Sequence, residues 1–198
     1  MVTAITKPAL EPFLTQLAAL HKHLCPRQVL GVRMGVHAAD LFSIKLPQRG
    51  KRLLTFVETD GCFADGVSVA TGCTMGHRTM RLVDHGKIAA TFVDTLNGKA
   101  VRCWPSPNVR IHAAECVPAA KSRWHAQLEA YQRMSTEELI RVQEVALCLD
   151  LNAIIGKPGI RTACSVCGEE IINQREVAMS GQPTCRSCAG DKYWTGKK

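Results

Sequence analysis

The segment 157–198 carries two Cys-x-x-Cys knuckles, CSVC at Cys164 and Cys167 and CRSC at Cys185 and Cys188, with seventeen residues between them. Four thiolates in this pattern close tetrahedrally around one zinc ion at about 2.3 Å. A module of about forty residues has too little core to fold alone, so zinc supplies much of its folding energy. Four cysteines fill the coordination shell, which makes the expected site structural, with no position open for chemistry. Gly168 and Gly190 follow the two knuckles, where tight backbone turns are expected. Two architectures fit the spacing. In a treble clef, AGDKYW after Cys188 forms a short helix; in a zinc ribbon, two hairpins carry the knuckles.

GKPG at 156–159 punctuates the chain and reads as a linker. It divides 198 residues into a core domain, 1–156, and the finger, 157–198, which leaves length for one sizeable hydrophobic core. With only 21% charged residues, the chain is not expected to be disordered. MVTAITKPALEPF has no basic segment followed by an apolar core and cleavage site, so no secretion signal is expected. No run of about eighteen apolar residues exists either, and no membrane span is expected. Ten cysteines in such a chain point to a reducing cytoplasm, where they serve metal, catalysis or burial rather than disulfides. The net charge of +8 is spread out, +5 in the core and +3 in the finger. A nucleic-acid partner calls for a denser basic cluster interleaved with aromatics, and only GDKYWTGKK hints at one.

Periodicity places a first helix over 11–24, with Phe13, Leu17, Leu20 and Leu24 on one stripe and Pro26 ending it. A second helix covers 29–41, with Gly31 and Gly35 on one face for close packing. LLTFVE (53–58) reads as a buried strand, followed by strands at 78–83, 88–94, 99–104 and 108–113. DHGK and LNGK between three of these suggest antiparallel hairpins. A long helix is expected from STEE, where Ser135 and Glu138 fit a capping box and Leu139, Val142, Ala146 and Leu149 form its apolar face. The fold class expected is α+β: an antiparallel or mixed sheet flanked by helices, plus the small zinc domain.

Two further stretches carry reactive side chains. HKHLCP supplies His21, His23 and Cys25 at a helix end. CFADGVSVATGCTMGH supplies Cys62, Asp65, Cys73 and His77. On one straight helix Cys62 and Cys73 would stand about 16 Å apart, too far for a single ion. Cys62 and Asp65 therefore form one unit at a helix start, expected to face His23 and Cys25. Cys73 belongs to the other end, with burial and ligation equally open for it. The helix N-terminus is expected to lower the Cys62 pKa and favour a thiolate. Asp65 suits capping, ligation or base chemistry. Cys103, Cys116 and Cys148 are expected to be packing residues.

HKHLCPRQVLGVRMG resembles a signature of the form His-x-His-x-Cys-Pro followed by Gly-x-Arg. ETDGCFADGVSVATGCTMGHRTMRLVDHGKIAATF is similar to a second one, built on Cys-x-x-Asp, Thr-Gly-Cys-Thr-x-Gly and Asp-x-Gly-Lys. Both belong to the formylmethanofuran dehydrogenase E-subunit family, and the likeness spans roughly residues 13–150. The finger resembles the auxiliary treble-clef zinc domain of some members. The resemblance implies an α+β core, a homodimer, and a metal-capable site between the signatures, with His21, His23, Cys25, Cys62, Asp65 and Cys73 at motif positions. Lys22 and Arg27 stand where the family often has glycine, and His77 where it often has lysine. Those larger groups would narrow the pocket or add a ligand.

Three functions follow. The first is a cytoplasmic metal-binding protein with a structural zinc and a second transition metal held by Cys and His. It would serve formate or one-carbon redox metabolism as a subunit or accessory of a redox enzyme. Thiolate with imidazole suits zinc, iron or copper(I) better than magnesium. The second is a metal-dependent enzyme with Asp65 or His77 as acid–base group. The third is a nucleic-acid or protein-binding regulator that lines up Lys192, Tyr193, Trp194, Lys197 and Lys198 on one face of the finger.

Overall fold

A computed structural model describes residues 7–156 and 159–196. Contacts divide the chain between Leu151 and Asn152 into two compact units.

The first unit opens with three helices, α1 (Lys7–His21), α2 (Pro26–Leu41) and, after strand β1 (Leu53–Val57), α3 (Cys62–Thr71). Then come β2 (Met80–Leu82), β3 (Ala90–Asp94), β4 (Ala100–Pro105), α4 (Val109–Cys116), α5 (Arg123–Ala130), α6 (Thr136–Leu139) and β5 (Ile140–Val145). The strands form one mixed sheet in the order β2-β1-β3-β4-β5, so the expected α+β class holds. The interior strand β1 is buried at every position. It pairs in parallel with β2 and antiparallel with β3. LNGK closes the β3–β4 hairpin, with Phe92 opposite Val101, whereas DHGK does not close one, because β2 runs alongside β1 instead of turning back onto β3.

Several local readings are corrected. Helix α1 begins earlier than the stripe suggested, and its buried face is Leu10, Leu14 and Leu17, while Leu20 is 64% exposed. Pro26 does not merely stop a helix. It opens α2, where its missing N–H costs nothing. Residues 109–116 form α4 rather than a strand. The Ser135–Glu138 capping box is present, but the helix it starts ends at Leu139. From Ile140 the chain pairs with β4 instead, a β-branched run taking the free sheet edge over a continued helix. Cys103 is buried as expected, while Cys116 and Cys148 are exposed.

The packing that positions the site is helix on helix. A Cβ at Gly31 would run into the Phe63 carbonyl and the Val67 backbone, and one at Gly66 into the Gln28 carbonyl. Gly35 faces Thr71 and Ala70 one turn further along. Contacts therefore advance in step along both helices: α2 and α3 run side by side in the same direction, and their N-termini are neighbours. Arg33, fully buried on α2, donates to the carbonyls of Tyr131 (3.0 Å) and Met134 (2.9 Å). It thereby satisfies acceptors left over at the end of α5 and ties α2 to that end. Burial draws its pKa down to about 10.

The second unit carries two antiparallel hairpins, β6 (Arg161–Ala163) with β7 (Glu170–Ile172) and β8 (Val177–Met179) with β9 (Gln182–Thr184). Residues after Cys188 form turns and a bend, not the short helix expected there.

Candidate metal centres

In the finger, the first knuckle lies in the turn between β6 and β7, and the second follows β9, the closing strand of the second hairpin. Cys164 comes directly after β6 and Cys185 directly after β9. One ligand atom from each of Cys164, Cys167, Cys185 and Cys188 lies within 4.8 Å of all the others. Tetrahedral zinc at 2.3 Å requires sulfur separations of ~3.8 Å, and Cys167 and Cys185 stand 4.0 Å apart. The donor set thus fits zinc in number, softness and spacing. Backbone N–H groups stabilise the anionic sulfurs: Cys185 donates to Cys164 Sγ at 3.2 Å and Cys188 to Cys185 Sγ at 3.4 Å. The N–H groups of Cys185 and Cys167 draw the Cys164 thiol down to about 6, while the Cys185 thiol and burial push Cys188 up to about 12. Gly168 takes φ +77°, the left-handed turn that returns the chain from the first knuckle.

In the first unit, Cys25 is the N-cap of α2 and Cys62 is the first residue of α3. Because the two helices pack in parallel at their glycines, these positions come near one another, and both thiols line one cavity. Cys25 is buried and Cys62 half-buried, and both are free thiols. The expected lowering of the Cys62 pKa is overturned. Burial and the adjacent Cys25 thiol raise it, outweighing the lowering effect of Arg27. The Cys25 backbone N–H donates to Gln28 Oε1 at 2.7 Å, whereas Gln28 Nε2, fully buried one turn into α2, has no partner among the described residues.

Asp65 is drawn elsewhere. His21 Nε2 donates to its Oδ2 at 2.8 Å, and the His23 ring stands edge-on to His21 at 6.2 Å between centroids. The expected facing of a Cys62–Asp65 unit onto His23 and Cys25 thus divides: Cys62 shares a cavity with Cys25, while Asp65 pairs with His21. His23 itself is exposed.

Cys73 lies beyond the left-handed cap at Gly72 (φ +76°), at the far end of α3, and its Sγ donates to the Leu53 carbonyl at 3.3 Å. Burial raises its pKa. Of the two readings open for it, burial and ligation, the core position matches burial: Cys73 is absent from the cavity that Cys25 and Cys62 line. His77 is exposed in a turn, its N–H donating to Thr74 Oγ1. It is absent from the lining of the cavity that holds Cys25 and Cys62.

Cys25 and Cys62 line a cavity of about 740 Å³, walled also by Arg27, Lys87, Arg102, Arg110, Trp104 and Trp124. Sequence reasoning overlooked all of these wall residues except Arg27. One signal was present: in the strand AVRCWP, Arg102 and Trp104 alternate onto the same face. In the finger, Tyr193 is 97% exposed and Lys192 Nζ sits 5.2 Å from the Trp194 ring centroid. Lys197 and Lys198, the other half of the expected basic face, lie outside the described residues.

The family described as "FmdE, Molybdenum formylmethanofuran dehydrogenase operon" matches residues 20–146, and the "Prokaryotic dksA/traR C4-type zinc finger" matches 159–193. A crystal structure of a tungsten formylmethanofuran dehydrogenase FmdE-like protein from Syntrophus aciditrophicus shares the fold. Its TM-score is 0.61 at 21% identity, and the alignment covers 98% of this chain and 100% of that one. A probable S-adenosyl-L-methionine-binding protein of Archaeoglobus fulgidus is 40% identical over 94 residues, which is 46% of this chain. The match spans 26% of that relative's length. No helix among the described residues is long and apolar enough to cross a membrane.

Proposed function

The chain belongs to the FmdE family, and from that premise we propose that it is a metal-binding protein with two centres of different character. The first is the structural zinc of the four-cysteine finger. The second is a transition-metal site built on Cys25 and Cys62, with His21 as the third donor.

The observation that carries this reading is that Cys25 and Cys62, 37 positions apart in sequence, line one cavity from the N-termini of two packed helices. Two thiols and an imidazole suit zinc, iron or copper(I). The Asp65 carboxylate engages His21 through Nε2, which leaves Nδ1 as the nitrogen able to ligate and orients the ring. His23, beside His21, is the candidate fourth donor. Where only three protein donors bind, a position stays free for water or substrate on the side of the cavity, and a metal there would supply Lewis acidity.

In the cell, the proposed role is cytoplasmic, in formate or one-carbon redox metabolism, as a homodimer serving a redox enzyme. The family description supports the metabolic part of that role. Metal analysis of the purified full chain tests the two-centre reading. Two metals per chain are expected, one lost in Cys25→Ser with Cys62→Ser and the other in Cys164→Ser with Cys188→Ser. A single zinc per chain, unchanged by the first pair of substitutions, ends the reading.

A further inference from the structure

The cavity over Cys25 and Cys62 carries a charge pattern that metal binding leaves unused. Arg27 on α2, Lys87 between β2 and β3, and Arg110 on α4 all reach its wall from separate elements. All three are exposed, and none is ion-paired among the described residues. Arg102 differs from them. Glu58 accepts from its Nε and Nη2 at 2.6 and 2.7 Å, which neutralises it, and its guanidinium lies over the Trp104 ring at 5.1 Å. Among the described residues, no carboxylate lines the cavity. Trp104 and Trp124 add flat apolar surface to the same walls.

We propose that this cavity binds a small organic anion with a planar apolar body, its negative group held by Arg27, Lys87 and Arg110 and its flat part against Trp104 and Trp124. This names the ligand class of the proposed core site, and it rests on that cavity being the functional one. Three unpaired cations around a recess with no opposing carboxylate raise the local concentration of anions. Indole surface holds planar groups through burial and stacking. A volume of about 740 Å³ suits a small molecule. The two thiols at the cavity wall then lie beside the bound molecule, where a metal held by them would meet it.

The probe is 8-anilinonaphthalene-1-sulfonate, an aromatic anion, set against N-phenyl-1-naphthylamine, the same frame without the sulfonate. With the zinc-loaded full chain at low salt, saturable one-site binding of the anion is expected, about ten-fold tighter than that of the neutral dye. Lys87→Gln with Arg110→Gln weakens the anion by about ten-fold and leaves the neutral dye unchanged; both residues are exposed, so the fold survives, as circular dichroism would verify. Trp104→Phe with Trp124→Phe abolishes most dye emission excited through tryptophan. Equal affinity for the two dyes, an unaltered anion affinity in the lysine–arginine variant, or tryptophan-excited emission that survives the double phenylalanine variant overturns the proposal. The Cys25→Ser, Cys62→Ser variant separates the two readings. Anion preference retained with full metal content leaves the pocket standing and removes the core metal. Anion preference absent with one metal lost does the reverse.

Discussion

His21 Nε2 and Asp65 Oδ2 stand 2.8 Å apart although 44 residues separate them in the chain. The contact links the last residue of α1 to the first turn of α3, and it exists because both helices pack against α2. A carboxylate in that position aims an imidazole and fixes which nitrogen is free.

Asp65→Asn is therefore expected to weaken the core metal by about 10- to 100-fold while leaving the finger zinc in place. Competition with a chromophoric chelator reads the two affinities separately. Equal loss from both centres would contradict the assignment.

The glycine contact between α2 and α3 makes a structural prediction. Gly66→Ala places a methyl against the Gln28 backbone, which cannot move aside as a side chain can. A destabilisation of about 1–3 kcal/mol is expected, with a matching fall in urea midpoint. Gly35→Ala meets the Thr71 methyl at 3.0 Å and should cost less. Gly66→Ala should also reduce core metal content, because it pushes Cys62 away from Cys25.

Arg33 is fully buried and bonded to carbonyl oxygens. Arg33→Met leaves the Tyr131 and Met134 carbonyls without donors in the interior, at about 1–3 kcal/mol for each. Arg33→Lys should rescue only part of this, since one ammonium does not reproduce the fork. Urea unfolding of the three proteins measures the difference.

Acid is expected to destabilise the first unit. Hydrogen bonds from Arg102 hold Glu58 below its ordinary value of 4.5. Burial pushes Asp94 upward, but its bonds to Arg52, the Leu96 N–H and Asn97 together outweigh that and keep it below 3.8. A depressed carboxylate contributes stability above its unfolded pKa and loses it as pH falls toward the folded one. Burial also lowers His37 from 6.5, so protonation favours the unfolded chain from about pH 6.5 downward. Asp40, raised by burial, opposes these in part. Glu58→Gln should flatten the loss below pH 4.5. Comparing it with the unsubstituted protein at each pH cancels the effect of metal release.

Removing zinc should unfold the second unit alone. Its hairpins carry few buried side chains, chiefly Cys164, Ile171 and Thr184, so a strong chelator is expected to abolish amide protection over 159–193. Protection in β1 and β3 should persist.

The sequence already contained what depends on local spacing. Two Cys-x-x-Cys pairs define a ligand set wherever the chain closes on a metal, since the ion imposes the geometry. Gly31 and Gly35, one turn apart on α2, left room for a close approach, and α3 takes that room. Cys25 and Cys62 were candidates from their motifs alone. Partnership was another matter. Ile140–Val145 became a strand because β4 offered a free edge, a term that helix periodicity does not contain. Asp65 turned to His21, and Cys73 sank beneath Leu53, because the direction of α3 was set by its packing on α2. The cationic walls of the cavity come from Arg27, Lys87 and Arg110, scattered over 84 positions. Only long-range packing brings such residues together, for the energy that assembles them resides in buried contacts elsewhere in the core.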